Sequence, residues 1–257
     1  YTAVGGEGFL LDEPQRTNLL VRSNETSATE WTKFNGTVSV NNHISPDNTV
    51  NAAKLIGDSG TFAGVQLYQA TSVVSGNIYA QSFYVKKAEL SFCQIHGSGS
   101  NFGNFYVNFN LNTGTVSAFD QSTLTTFIYA ISLSSNGYYR ISVVANNSAT
   151  NTFGRLVLVL IKTGTTLRGA SETFNGTDGI YVFGSQLEIG ATASSYIPTT
   201  TAAVTRNADV ITVAPPTSTL KITTTFSNNS TQVLTTIPAT FTLPEGLIKS
   251  VNFNNTL

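Results

Sequence analysis

Apolar and polar residues alternate with a period of two along much of this 257-residue chain. Successive side chains of an extended strand point to opposite faces, so this period predicts strands with one buried face. The alternation is clearest in four segments, 78–87, 105–111, 138–145 and 179–189. Turns rich in Gly, Asn or Ser separate such segments, and no stretch carries a capped apolar stripe of helical period. We therefore expect an all-β fold, a two-sheet antiparallel jelly-roll sandwich with a small C-terminal β module.

The most apolar run of the chain is Leu156–Ile161. It is far shorter than the roughly 20 residues that a membrane-spanning helix needs. The run is instead typical of a buried central strand, and we expect no insertion into a membrane.

Prolines suggest where the chain divides. Pro14 fixes its own φ and biases Glu13 away from helix, so residues 1–17 are expected to form an extended N-terminal arm. The main sandwich is predicted over 18–210, and Pro215-Pro216 marks a linker after it. Residues 211–257 are predicted to form a small antiparallel module. A module of about four strands is marginal alone, so we expect it to pack on the main domain or on copies of itself.

Charge and cysteine content narrow the classes of partner. Charged residues make up 11% of the chain and the net charge is −1, which gives no field to attract nucleic acid or an anionic membrane. Cys93 is the only cysteine, so no internal disulfide can form. The sequence contains no methionine, so we expect it to be processed or to belong to a longer polypeptide.

Catalytic patterns are missing from the sequence. There is no G-x-S-x-G elbow, and no pair of carboxylates two residues apart, as in E-x-D, that would share one strand face. His43 and His96 are isolated and, with one cysteine, give no zinc spacing. We expect that this chain is not an enzyme and needs no catalytic cofactor.

A candidate binding surface lies around residues 104–112, where apolar residues alternate with amides and a phenol. The polar set is predicted to share one exposed sheet face: Asn104, Tyr106, Asn108 and Asn110. Tyr138, Arg140 and Ser142 would share one face of another strand. Amides donate to and accept from sugar hydroxyls, and a ring offers an apolar stacking surface, so this pattern predicts a carbohydrate site. The alternative is a plain solvated face, or one covered by a neighbouring subunit.

Several segments together resemble a known family. They are 10–20 (LLDEPQRTNLL), 136–143 (NGYYRISV), 184–190 (GSQLEIG), 194–200 (SSYIPTT) and 204–209 (VTRNAD). These runs resemble the signatures of a concanavalin-like, carbohydrate-binding-module-like domain common in bacteriophage tail fibres and head spikes. Tyr138 stands where that family usually has Trp.

The resemblance implies a non-enzymatic virion fibre or spike subunit that adheres to host-surface glycan. It further implies a homotrimer that contacts other virion proteins, assembles in the host cytoplasm and is exposed on the particle. Relatives of this kind often hold a structural calcium ion, for which Asp47, Asn48 and Glu188 offer oxygen ligands. Two alternatives remain, a carbohydrate-binding module of a larger secreted polysaccharide-active enzyme and a purely structural capsid decoration protein.

Overall fold

The computed structural model describes residues 10–97, 101–147 and 153–256. The strands of the first half are β1 (Leu10–Asp12), β2 (Arg16–Asn18), β3 (Thr32–Phe34), β4 (Gly36–Ile44), β5 (Val50–Gly57), β6 (Gly60–Phe62), β7 (Val65–Tyr68), β8 (Thr71–Ser72), β9 (Ile78–Lys87), β10 (Phe92–Gly97), β11 (Tyr106–Asn110) and β12 (Thr115–Asp120).

The strands of the second half are β13 (Phe127–Leu133), β14 (Tyr139–Asn146), β15 (Phe153–Gly154), β16 (Leu156–Ile161), β17 (Glu172–Phe174), β18 (Gly179–Ile189), β19 (Val204–Arg206), β20 (Thr212–Val213), β21 (Lys221–Phe226), β22 (Thr231–Leu234), β23 (Phe241–Thr242) and β24 (Gly246–Asn254). A 3₁₀ turn, Ser135–Gly137, precedes β14, and the described ranges contain no α-helix. No helix of these ranges therefore has the length and hydropathy to cross a membrane.

The larger of two compact units comprises residues 17–205 and contains two six-stranded sheets. The β9 sheet has the order β13-β14-β9-β18-β5-β4, and the β16 sheet has the order β12-β11-β10-β16-β7-β3. Neighbouring strands are antiparallel in both sheets. Both sheets contribute to one buried apolar cluster, for example through Phe83 and Ile141 on one side and Ile95 and Leu158 on the other. The predicted all-β sandwich is confirmed.

The strand predictions agree closely with the structure. β9 and β18 span the predicted 78–87 and 179–189, whereas β11 and β14 differ from their predicted segments by one residue at each end. Leu156–Ile161 is β16, which lies between β10 and β7 with all six residues buried, as expected of a central strand. Since β16 is covered on both faces, its residues have no need to alternate.

The smaller unit comprises residues 10–16 and 206–256 as far as they are described. Its sheet has the order β1-β24-β21-β22, in which Leu11 pairs with Leu247. Residues 10–12 are thus extended, but they are an edge strand of the C-terminal sheet rather than a separate arm. Backbone pairing with β24 satisfies groups that an isolated arm would leave to water. Residues 1–9 of the expected arm lie outside the described residues.

Candidate functional site

The outer face of the β9 sheet carries a row of four side chains at directly paired positions. Ser132 pairs with Arg140, Arg140 with Tyr84, and Tyr84 with Phe183. The flanking residues of these strands, such as Phe83, point into the core. Because side chains alternate along a strand, the row must lie on the opposite, outer face.

Three aromatic rings form a cluster on this face. The ring centroids of Tyr84 and Phe183 are 6.0 Å apart, those of Tyr84 and Tyr196 are 6.2 Å apart, and those of Phe183 and Tyr196 are 5.6 Å apart. The interplanar angles lie between 60° and 76°, which is close to the edge-to-face geometry that such rings prefer. Tyr196 is further held by a 2.7 Å hydrogen bond between its hydroxyl and that of Ser23. Burial raises the pKa of the Tyr196 hydroxyl to about 12, so it stays neutral.

A bulge in β18 makes room for these rings. The register of β18 against β9 shifts between Phe183 and Gln186, and Gly184 within this shift has a φ of +59°. A Cβ at position 184 would lie 2.9 Å from Cδ2 of Tyr84 and 3.4 Å from Cζ of Tyr196. Glycine is therefore required here both for its left-handed backbone and for the space it leaves.

The rings form one wall of a cleft of about 480 Å³, which we call the aromatic cleft. Its lining residues are Asn24, Pro46, Asp47, Asn51, Tyr84, Phe183, Tyr196 and Pro198. The cleft thus combines apolar ring surface with amides and a carboxylate. An open, mostly apolar cleft with a few placed polar groups is the usual form of a small-ligand site.

Asp47 is the charged group of the aromatic cleft, and its carboxylate is held by the surrounding loop. Its Oδ1 accepts hydrogen bonds from Ser45 Oγ at 2.6 Å and from the Thr49 backbone N–H at 2.8 Å, and its Oδ2 accepts one from Asn51 Nδ2 at 3.0 Å. Partial desolvation opposes ionisation, but the hydrogen bonds from Ser45, Thr49 and Asn51 outweigh it and lower the pKa of Asp47 to about 2. The cleft therefore carries a fixed negative charge at neutral pH.

Arg140 separates the aromatic cleft from a second one. Its guanidinium carbon lies 5.4 Å from the centroid of the Tyr84 ring, and its Nη2 donates to the Ser194 carbonyl and, at 3.0 Å, to Ser82 Oγ. The second cleft, of about 270 Å³, is called the Arg140 cleft. It is lined by Ile128, Ala130, Ser132, Arg140, Ser142, Val144, Ala191, Thr192 and Ala193.

The segment 190–199 after β18 crosses the sheet face between the two clefts. Glu188 anchors it, since its Oε1 accepts from the Ser194 backbone N–H at 2.8 Å and its Oε2 accepts from Ser194 Oγ at 2.7 Å. Oε1 of Gln186 accepts from the Ile197 backbone N–H at 2.7 Å. Residues 191–193 line the Arg140 cleft, and Tyr196 lines the aromatic cleft.

The predicted row on β11 does not form an exposed surface. Asn108 is fully buried, its Nδ2 donating to the carbonyls of Thr166 and Gly164 at 2.8 and 3.0 Å. Tyr106 is buried as well, so the prediction that both are displayed is wrong. The physical reason is that the loop 162–171 covers this part of the sheet, which strand alternation alone does not indicate.

The other residues predicted to bind carbohydrate lie in different parts of the structure. Asn104 is exposed in the turn before β11, and Asn110 uses its Oδ1 to accept from the Asn112 backbone N–H at 2.9 Å. Tyr138 lies on the same face of the β9 sheet as Arg140, but it is fully buried in a small cluster with Phe183. Of the residues predicted to lie on these two strand faces, Arg140 and Ser142 line the Arg140 cleft.

The residues predicted to bind calcium do not fit such an ion. Glu188 is buried on β18, where both its carboxylate oxygens bond Ser194, whereas Asp47 lies in the loop before β5, and Asn48 Oδ1 accepts from Asn136 Nδ2 at 3.1 Å. Over the described ranges, no three His, Cys, Asp or Glu side chains form a group that would hold a metal. Calcium needs six to eight oxygen ligands, a set that this arrangement does not supply. Asn48 has a φ of 68°, a conformation that Asn tolerates.

The aromatic cleft was not predicted from the sequence. Alternation within 78–87 places Tyr84 on the face opposite Phe83, and this signal was present. Phe183 was harder to assign because the bulge after it changes which residues of β18 face outward. Tyr196 belongs to an irregular segment, whose position no periodicity predicts.

Comparisons with known proteins add little to this geometry. No protein-family profile matches the chain, and no curated protein sequence matches it. Among solved structures, the chain is similar to the enzymatically active domain of tailspike protein 4 of bacteriophage CBA120, with a TM-score of 0.38, 10% identity and coverage of 67% of this chain and 21% of that one. The chain therefore spans about a fifth of the tailspike chain.

Two further similarities involve sugar-binding proteins. A putative sugar binding protein from Bacteroides thetaiotaomicron gives a TM-score of 0.36 at 12% identity, with coverage of 71% of this chain and 100% of that one. The CBM22-1 xylan-binding domain of Paenibacillus barcinonensis Xyn10C gives a TM-score of 0.33 at 12% identity, with coverage of 75% and 100%. Likenesses of this strength assign no function.

Proposed function

We propose that this chain is a non-enzymatic glycan-binding sandwich that serves as a fibre or spike subunit of a bacteriophage virion and attaches to glycan on the host surface. The aromatic cleft is the observation that carries the proposal. It places three rings beside the amides of Asn24 and Asn51 and the carboxylate of Asp47.

The chemistry of the aromatic cleft suits a sugar. The C–H faces of a sugar ring are apolar and pack on aromatic rings, whereas its hydroxyls need both donors and acceptors. Asn24 carries both kinds of group, and the Asp47 carboxylate accepts strongly because it is ionised. The rings are mutually packed before any ligand arrives, which lowers the entropy lost on binding.

The same cleft favours binding over hydrolysis. Glycosidases of the usual kind need two carboxyl groups, one of which must be protonated at the working pH. Asp47 is the one carboxyl group among the residues that line the aromatic cleft, and its pKa of about 2 leaves it without a proton at neutral pH.

The virion role rests on the sequence resemblance to fibre and spike proteins, together with the need for many copies. Shallow clefts bind sugars weakly, and several linked copies raise the apparent affinity by about 10²–10⁴-fold. A homotrimeric subunit joined to other virion proteins and exposed on the particle would provide such copies. Glycan binding is common to this role and to a carbohydrate-binding module attached to a polysaccharide-active enzyme.

The test of glycan binding is an array of bacterial surface glycans probed with the wild-type protein, Tyr84→Ala and the control Phe34→Ala. Phe34 is an exposed aromatic residue on β3 of the other sheet. We expect saturable binding by the wild type and Phe34→Ala and loss of binding by folded Tyr84→Ala. Binding by none of the three proteins would overturn glycan binding and favour a structural decoration protein.

The test of the virion role is immunogold electron microscopy with antibody against the chain. We expect labelled fibres or spikes on purified particles of the phage that encodes the chain. Unlabelled particles, with the antigen found on a secreted polysaccharide-active enzyme, would favour the alternative role.

A further inference from the structure

We propose that the glycan is acidic, and that the Arg140 cleft binds the carboxylate of an acidic sugar next to a neutral sugar in the aromatic cleft. This inference rests on the proposed function and adds the chemical class of the ligand.

Arg140 is a half-buried cation without an anionic partner among the described residues. Four other cations of the described residues form ion pairs, as Arg22 does with Glu30 at 3.0 Å and Lys54 with Glu89 at 2.7 Å. Arg140 instead donates to two neutral oxygens, those of Ser82 and Ser194. No carboxylate of the described residues lies within 4.0 Å of the guanidinium nitrogens; Glu188 reaches it only through Ser194, which both side chains bind.

The guanidinium is held in place for an incoming anion. Nη2 is fixed by Ser82 and Ser194, and the guanidinium lies over the Tyr84 ring. Nη1 forms no hydrogen bond with the described residues, so its donors remain for a ligand. A fixed guanidinium matches the planar carboxylate group and loses little conformational entropy when it binds.

The Arg140 cleft has the size and lining for one sugar residue. Its volume of about 270 Å³ lies just below the usual range of small-ligand sites. Most of the lining side chains are small, and hydroxyls of Ser132, Ser142 and Thr192 are placed around it to meet sugar hydroxyls.

The two clefts differ in charge although they are neighbours. Tyr84 lines the aromatic cleft, and Arg140, paired with it across the strands, lines the Arg140 cleft. The ionised Asp47 disfavours an anionic sugar in the first cleft, and Arg140 favours one in the second. A glycan with a neutral sugar followed by an acidic sugar satisfies both clefts at once.

The experiment compares acidic oligosaccharides with neutral partners of the same size. The probes are oligosaccharides of heparosan and hyaluronan, which alternate neutral and uronic acid residues, and the same oligosaccharides with reduced carboxyl groups. Affinities are measured by titration calorimetry for the wild type, Arg140→Gln, Arg140→Lys and the control Arg155→Gln. Arg155 is a half-buried arginine that lies over Tyr68, so its substitution removes the same charge elsewhere.

We expect the wild type and Arg155→Gln to bind at least one acidic probe about tenfold more tightly than its reduced partner, with a preference that weakens as salt is added. Arg140→Gln should bind the acidic and the reduced probe with equal affinity, and Arg140→Lys should retain part of the preference for the acidic probe. Equal binding of acidic and reduced probes by the wild type, with binding lost in Tyr84→Ala, would overturn the acidic class and leave glycan binding standing. Binding of glycans on the array but of none of these acidic probes would also overturn it. Absence of binding to every glycan would overturn both proposals.

Discussion

Arg140 and Tyr84 occupy directly paired positions on β14 and β9, and the guanidinium carbon of Arg140 lies 5.4 Å from the centroid of the Tyr84 ring. The pair connects the two clefts, because each residue lines one of them. A cation over an aromatic face is attracted by the ring quadrupole, by about 0.5–1 kcal/mol at exposed sites. The wall between the clefts is thus held by an interaction that mutation can measure.

The first prediction concerns the coupling between these two residues. In a double-mutant cycle of Arg140→Gln and Tyr84→Ala, we expect a coupling free energy of about 0.5–1 kcal/mol in favour of the wild-type pair. Urea unfolding of the four proteins measures it. Unfolding free energies that add within error would show that the ring and the guanidinium do not interact.

The second prediction concerns Gly184, which combines a φ of +59° with a close approach to Tyr84. Gly184→Ala should destabilise the protein by about 2–3 kcal/mol, because a left-handed alanine costs roughly 1–2 kcal/mol and the new Cβ displaces a packed ring. The temperature of thermal unfolding and the affinity for glycan should both be lower than in the wild type.

Gly169→Ala is the matched control for this substitution. Gly169 has a φ of +72°, but a Cβ there would meet nothing within 4 Å. Its substitution should cost only the backbone term, roughly 1–2 kcal/mol, and leave binding intact. Equal losses in the two variants would contradict the claim that Gly184 makes room for the rings.

The third prediction distinguishes an amide side chain that stabilises the fold from one that is exposed to solvent. Asn108→Ala removes a buried side chain that bonds Gln94, Gly164 and Thr166, and it should destabilise the protein by roughly 2–4 kcal/mol. Asn104→Ala, at an exposed turn, should change stability by less than about 0.5 kcal/mol. Neither variant should lose glycan binding while folded. Loss of glycan binding in either variant, with stability unchanged, would show that the carbohydrate site lies around β11.

The fourth prediction concerns acid stability. Burial, followed by the nearby Arg168 charge, lowers the pKa of His96 from 6.5 to about 4. The folded state therefore favours neutral His96. The contribution of His96 to the free energy of unfolding is fully present above pH 6.5, its ordinary pKa. Stability should fall as the pH drops from about 6.5 to about 4, by up to roughly 3 kcal/mol, and this contribution should not change further below pH 4.

His96→Gln checks the assignment of this transition. The variant should be less stable at pH 7, and its unfolding free energy should depend less on pH between 6.5 and 4, as measured by urea unfolding at a series of pH values. A wild-type profile that the substitution leaves unchanged would mean that other groups cause the acid transition.

The sequence predicted much of the framework because the framework follows from periodicity. β9 and β18 alternate clearly, and β16 is an unbroken apolar run. These features depend on neighbouring residues, which the sequence displays directly.

The site was less predictable because it depends on residues far apart in the chain. The aromatic cleft brings the loop around Asp47 to Tyr84 and Tyr196, and the shift at Gly184 decides which residues of β18 face outward. The burial of Asn108 depends on a distant loop, and the pairing of β1 with β24 joins the two ends of the chain. Local patterns do not encode such long-range contacts.

The most direct test of the account is nuclear magnetic resonance of protein with isotope-labelled tyrosine, titrated with neutral and acidic oligosaccharides up to millimolar concentration. The chain has 10 tyrosines, and Tyr84→Phe and Tyr196→Phe variants assign the two that line the aromatic cleft. We predict saturable shifts of the Tyr84 and Tyr196 ring signals, with the Tyr68 signal of the other sheet unchanged. Saturable shifts confined to tyrosines outside the cleft, or none with any sugar, would contradict the proposal that this cleft binds glycan.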